Sequence, residues 1–520
     1  MQFVQNGPDI PDALLQAHEE GRVVFFCGAG ISRPAGLPGF DGLVSDLYTH
    51  VGEHPNRLES EFLSGKKLDA IESLKKLIPD EKQHDLVIEL LEKQISGEKQ
   101  LDRVIGLLEQ RIQGGRKNVR RHLPDILKPN LLFKRHALRS KRHALRTHWA
   151  LLILGRNEIH GLRLLTTNFD TLFERAAEHF ALPPFTTYPT PPDRPNWEGI
   201  VHLHGRLSDS PTGGELDSLI LSDGDFGQAY LTQGWAARFV ATLFRDFTLC
   251  FVGYSIDDPV LRYMTAAHAL SNKGQKVFAF APYSGDQAAT QEGAWRAKNV
   301  IPILYDEAQS HRKLHQTLHI WASIFRDGVR GKQRIVSRLA QRSPKDSTPT
   351  YDFVGRMLWA LSDKSGRPAQ RFAELEPVPS LDWLDTLSDY RYHHADLPRF
   401  QVPIGAEPST TLTFSLLDRP GPYGKAPRMT LVTGIGVTYS WDEVMYQMAR
   451  WLTRHLDDPQ LLLWLAEQGG KLNSQFFLLC RVQHNRNYVQ SAIMLSRRQS
   501  GLKREWPAHP QAPVADLACA

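Results

Sequence analysis

Four short apolar runs in this 520-residue sequence each break into a polar cluster whose residue types could do chemistry. Arg22-Val-Val-Phe-Phe-Cys leads to Gly28-Ala29-Gly30-Ile-Ser32, Leu162-Arg-Leu-Leu-Thr-Thr to Asn168-Phe-Asp170, and Gly199-Ile-Val-His-Leu to His204-Gly205. The fourth, Phe247-Thr-Leu-Cys-Phe-Val, leads to Gly253-Tyr-Ser255-Ile-Asp257-Asp258. An imidazole such as His204 titrates near neutrality and can take a proton. The amide of Asn168 both donates and accepts, which suits holding a water or a sugar hydroxyl. Gly28 and Gly30 permit backbone approaches that a Cβ forbids, and Ser32 adds a hydroxyl where a following helix starts, so the turn can cradle a pyrophosphate. Taken singly each residue also fits a plain role. His204 could be a strand-end histidine bonded to backbone, and Asn168 an Asx turn ahead of Thr171.

These residues need a common rim. The apolar runs read as buried parallel strands, with helical segments such as Thr171 to Phe180 and Asp225 to Leu243 between them, and further strands at Lys276 to Ala281 and Ile301 to Tyr305. The pattern predicts an α/β, doubly wound, mostly parallel Rossmann-like sheet, in which ligands bind beyond the carboxyl ends of the strands. Residues 1–328 form that domain, interrupted at about 42–149 by a helical insertion in which Leu68, Ile71, Leu74 and Leu77 recur at helical spacing. The insertion ends in a basic stretch, Arg111 to Arg146, with twelve Lys or Arg against one acid, Asp125. A solvated helix face is favoured there over nucleic-acid contact, and His122, His136 and His143 within it and His148 just after it lack the acids or cysteines of a metal site.

In this order the motifs resemble those of the sirtuin family: Gly28-Ala-Gly-Ile-Ser32 with Gly36-Leu-Pro-Gly-Phe40, Thr167-Asn-Phe-Asp170, Leu203-His-Gly205 and Gly253-Tyr-Ser255. The resemblance covers about residues 20 to 310. It implies a sirtuin-type sheet, NAD as substrate, Asn168 and His204 as catalytic residues, and Gly28, Ala29, Gly30, Ser32, Asp170, Gly253 and Ser255 as NAD-binding residues. Three departures point to a subtype. The four-cysteine zinc module of deacylating sirtuins is missing after His204, Gly39 and Asp41 flank Phe40 where an aspartate and an arginine are usual, and Thr167 replaces a glutamine. The chain is similar instead to zinc-less, sirtuin-like NAD hydrolases of bacterial anti-phage defence, so no metal is expected. NAD hydrolysis is the leading function. A protein deacylase or ADP-ribosyltransferase, and a non-catalytic nucleotide or nucleic-acid sensor, are the alternatives.

For such a hydrolase, Asn168 would hold the attacking water or a ribose hydroxyl, Asp170 would accept from the nicotinamide amide, and His204 would be the general base. A phage-derived or protein activator and a homo-oligomer are the partners expected besides NAD.

The bulk numbers agree with a globular chain: 41% hydrophobic, 23% charged, formal charge +5. No apolar run reaches the roughly 18 residues of a membrane span and no leader opens the chain, so a cytoplasmic location is expected. The four cysteines, Cys27, Cys250, Cys480 and Cys519, are isolated, and Cys27 reads as a buried strand residue. Residues 329–350 are polar with Ser-Pro and Thr-Pro steps and read as a linker. A mainly helical or α+β domain of unknown role follows at 351–500, with a helix over Glu443 to His455 and tryptophans expected in its core. A proline-bearing tail at 501–520 reads as disordered.

Overall fold

A computed structural model describes residues 1–65, 99–129, 144–158, 161–192, 197–256, 258, 276–363, 365–388, 440–461 and 463. The expected helices around Leu68 to Leu91, the duplicated Lys134 to Arg139 and Lys141 to Arg146 motif, His136, His143, Asp257, Trp464 and the 501–520 tail fall wholly or largely outside them.

Eight strands form one sheet: β1 (Val23–Cys27), β2 (Arg156–Asn157), β3 (Gly161–Thr166), β4 (Thr187–Tyr188), β5 (Gly199–His202), β6 (Thr248–Val252), β7 (Val277–Tyr283) and β8 (Ile301–Asp306). Their order is β4-β5-β3-β1-β6-β7-β8, every pair on that path parallel, with β2 an antiparallel addition on β3. The chain starts at the centre, builds outward through β3 to β5 and β4, then returns to the other flank of β1. This is the doubly wound, Rossmann-like α/β arrangement, and its switch point lies at β1.

Burial on both faces explains the composition of the central strands. Val23 to Cys27 and Thr248 to Val252 are buried throughout. One face packs Val24, Phe26, Leu165 and Phe251 with Val240, Leu243 and Phe244 of the helix Trp235–Asp246. On the other, Phe25 meets His18 and Trp321 edge-on, at ring separations of 5.9 and 5.8 Å.

Register decides what shares the rim. Cys27 pairs with Val252 on one side and Thr166 on the other, and Thr166 pairs with His202. Four strands therefore end in one row, and Gly253, Gly28, Thr167-Asn168 and Leu203-His204 are the residues that follow it.

The chain divides into two units, Ala17–Ala322 and a second made of Met1–Gln16 with Ser323–Ala520. The stretch 329–350, expected as a linker, is helical over its first half. Gly328–Leu339 is a helix whose Val336 and Leu339 are buried in the second unit's core, beside Phe353, Met357, Phe372, Trp383 and Trp451. Its exposed face carries Arg330, Arg334 and Arg338, which masked the apolar stripe. The second unit is helical over its described residues. Ser440–Thr453 is a helix, and Trp383 and Trp451 donate from Nε1 to Ala340 O (3.0 Å) and Pro379 O (2.9 Å). They are core residues whose one polar atom is satisfied.

Candidate active site

The glycine turn after β1 is not an open cradle. The Gly28 N–H donates to Val252 O at 2.9 Å and the Gly30 N–H to Gly253 O at 2.9 Å, so the loops after β1 and β6 are interlocked. A Cβ on Gly28 would stand 2.8 Å from Gly253 O, one on Gly30 2.9 Å from Gly253 Cα, and one on Gly253 2.7 Å from Ile31 N. Gly253 also has a left-handed φ of +77°. All three glycines are required by loop-on-loop packing, and the Gly30 N–H already has a protein acceptor. Residues Ala29–Ala35 then coil as a 3-10 helix that ends on Gly36.

Ser32 is buried at the centre of a side-chain network. Its hydroxyl donates to Asp170 Oδ2 at 2.9 Å and lies 3.2 Å from Asn168 Nδ2 and 3.3 Å from His148 Nε2. A hydroxyl has one donor and two acceptor positions, so it accepts from Asn168 and from His148, whose proton then sits on Nε2. Three protein partners use the capacity of this hydroxyl.

Asn168 donates its second amide hydrogen to Gly28 O at 3.2 Å, and its backbone is fixed by N–H donation to Thr166 Oγ1 at 3.0 Å and by His202 Nδ1 on its carbonyl at 3.0 Å. With both donors engaged, Oδ1 is the atom the amide leaves for a ligand. Asp170 accepts from Leu172 N (3.0 Å) as well as from Ser32, so it starts the helix Leu172–His179. Burial raises its pKa, against the hydrogen bonds from Leu172 and Ser32. The Asx-type contact anticipated for Asn168 belongs to Asp170.

His204 is buried, with Nε2 3.0 Å from Tyr230 Oη and the Phe226 ring edge-on at 5.0 Å. Burial pulls its pKa down to about 3, with the Asp225 carboxylate acting in the opposite direction. At neutral pH the ring is uncharged and able to accept a proton. His148 is likewise held at about 3 by burial and by His315, against Glu174. His202 is not part of the cavity lining. Its Nε2 stands 3.6 Å from Glu174 Oε1, and Glu174 is held at about 2 because His202 and Arg206 outweigh the cost of its burial.

Asn168, Asp170 and His204 line one cavity of about 70 Å³ together with Ala29, Ser32 and Phe226. A second cavity of about 350 Å³ is lined by Ala29, Gly30, Gly253, Ser255, Glu307 and Trp295. Ala29, Gly39, Phe40 and Asp258 line both, so the two adjoin across the switch point. Of the candidate residues, Asn168, Asp170, His204 and Ser32 thus come together at one end, Gly30, Gly253 and Ser255 at the other, with Ala29 between them. Gly28 joins through its carbonyl and is not itself in either lining.

The sequence did not single out Asp258, which lines both cavities, or Tyr230, which bonds to His204. The continuous helix expected over Asp225 to Leu243 is broken: Asp223–Phe226 is followed by a π-helical turn, Gly227–Thr232, and a new helix begins after Gly234 at φ +63°. Thr167, in place of a glutamine, bonds to Tyr254 Oη at 2.8 Å. Burial pushes the Cys27 thiol far up and holds it uncharged, as a strand residue should be.

The described part of the basic stretch is tied down internally. Arg111 pairs with Glu53 and Glu59, Arg116 with Asp225, and the fully buried Arg120 with Glu109 and Asp225. His122 stacks near His50 and His148 lies on Ser32, so these two do not converge. Among the described residues no helix is long and apolar enough to cross a membrane.

Residues 163–303 match the SIR2-like domain family, a domain type associated with NAD-dependent enzymes. A protein of Sinorhizobium fredii (strain NBRC 101917 / NGR234), described as uncharacterized protein y4cA, is 27% identical over 398 residues. The alignment takes in 74% of this chain and 29% of that relative's length.

Proposed function

We propose that the chain hydrolyses NAD to nicotinamide and ADP-ribose. What carries the reading is that an amide and a neutral imidazole, Asn168 and His204, line the same cavity as Ala29 and Ser32 of the glycine turn, next to a larger cavity over Gly30 and Gly253. A dinucleotide laid across the switch point would have its adenosine half in the larger cavity and its scissile ribose in the smaller. Cleaving the nicotinamide–ribose bond builds positive charge on the sugar, as glycoside cleavage does. Asn168 Oδ1 would accept from the attacking water, His204 would take the proton released from the water or a ribose hydroxyl, and Asp170 would hold Ser32 and so the amide's orientation.

An enzyme that destroys NAD must stay silent in a healthy cell, so release by a phage-derived or protein signal, in an anti-phage role, belongs to the same proposal, as does assembly into a homo-oligomer. Chromatography of NAD after incubation with purified protein, alone and with candidate activators, tests it. Nicotinamide and ADP-ribose should appear, and Asn168→Ala and His204→Ala should each cut the rate by about 10²- to 10⁴-fold. Consumption of NAD only with an acetylated peptide, yielding O-acetyl-ADP-ribose, would replace the hydrolase with a deacylase.

A further inference from the structure

His204 is held from behind. Its Nε2 lies 3.0 Å from Tyr230 Oη, and Tyr230, unlike His204 and Phe226, is absent from the cavity lining. One ring nitrogen is thus turned to a phenol the cavity does not reach, and Nδ1 is the nitrogen left for a ligand. The phenol's own position is fixed on several sides. Phe226 stacks on the Tyr230 ring at 5.9 Å and 21° while its edge meets His204. The π-helical turn Gly227–Thr232 buries Tyr230 and turns its neighbour Leu231 outward, 73% exposed. Asp225, just ahead of that turn, is anchored by Arg120 and by the Leu221 and Ser222 N–H groups at 3.0 and 2.9 Å. A single-turn π insertion frequently marks a functional position, and here it aims a hydroxyl at the one imidazole in the cavity.

We propose that Tyr230 is a positioning residue for the general base: its phenol oxygen accepts the Nε2–H of His204, which leaves the Nδ1 lone pair to receive the proton. The inference rests on the NAD-hydrolase reading and deepens it. When the water or ribose O–H bond breaks, its proton forms Nδ1–H, the ring becomes an imidazolium, and Nε2–H stays on the Tyr230 oxygen. The proton leaves Nδ1 for solvent after product forms. An imidazole whose second nitrogen is held by a fixed group is the arrangement by which many enzymes set the tautomer of a base.

The test uses the full chain and Tyr230→Phe, which keeps the ring on Phe226 and removes only the oxygen. With NAD as substrate, kcat should fall about 10- to 100-fold with KM within about 2-fold and Tm nearly unchanged. A second readout needs no turnover. In ¹⁵N-histidine spectra, with His204 assigned by its loss in His204→Ala, the parent ring should be the Nε2–H tautomer, and its Nε2 resonance should move in Tyr230→Phe. An unchanged kcat, a loss confined to KM, or a parent ring protonated on Nδ1 overturns the inference. The parent chain separates the two claims: no nicotinamide or ADP-ribose from NAD, with and without candidate activators, sinks the hydrolase, while the Nε2–H tautomer and its shift in Tyr230→Phe stand or fall by the spectra alone.

Discussion

Ser32 shows how much one hydroxyl can organise. It donates to Asp170 and accepts from Asn168 and His148, so its removal takes one partner from each of three buried groups at once. Ser32→Ala should cost about 1–3 kcal/mol of stability by chemical denaturation, since a buried polar group without a partner keeps its full desolvation penalty. It should also lower NAD turnover by loosening the Asn168 amide. Ser32→Thr, which keeps the hydroxyl, should retain more of both. At this scale the sequence was informative about identity and silent about roles. Asn168 and His204 stood out because each followed an apolar run. That Ser32 serves its neighbours, that Asp170 starts a helix, and that Tyr230 stands behind His204 all depend on directions of side chains from distant segments. Tyr230 was hidden for a further reason: periodicity reads a π turn as ordinary helix.

Elements supply the second level of argument, and the interlocked loops after β1 and β6 are the clearest case. Gly253→Ala meets both a left-handed φ of +77° and a Cβ placed 2.7 Å from Ile31 N, whereas Gly28→Ala meets only the crowding, at 2.8 Å from Gly253 O. Gly253→Ala should therefore lower Tm more than Gly28→Ala, and both should weaken NAD binding measured by calorimetry. The buried Arg120 ties the insertion to the segment carrying Tyr230 through Asp225 and Glu109. Arg120→Ala leaves the buried Asp225 with Arg116 as its one ion-pair partner among the described residues, and breaking such a pair costs about 3–5 kcal/mol, read in the same denaturation assay. The strands were legible because burial on both faces selects uninterrupted apolar runs. The helix Gly328–Leu339 was not, because charge on its exposed side outweighed three or four apolar positions. The ion pairs were invisible for a simpler cause: Arg120 and Asp225 are 105 residues apart.

For the whole molecule, acid is the informative variable. His148 and His204 are held neutral down to about pH 3, whereas an unfolded histidine takes up its proton near 6.5. Between those values the unfolded state binds more protons, so stability must fall as pH falls, by up to about 1.4 kcal/mol per pH unit for each ring. Glu174, held at about 2, works in the same direction below its ordinary value of 4.5. The raised Asp170 works against it in its own range. Denaturation midpoints should therefore drop steadily from pH 7 to pH 4.5, and His148→Asn should flatten that slope; a midpoint independent of pH over this range would contradict the buried neutral rings.

Tyr254 reaches Cys27 O across 227 positions of chain, and the two loops that meet there make the floor of the cleft. During synthesis Asn168 and His204 emerge well before β6 does, so a nascent or broken chain ending ahead of Thr248 carries both side chains without the Val252–Gly253 backbone on which Gly28 and Gly30 are locked. Translation thus completes the cleft late: its floor exists only once Thr248–Val252 has been made and has paired with β1.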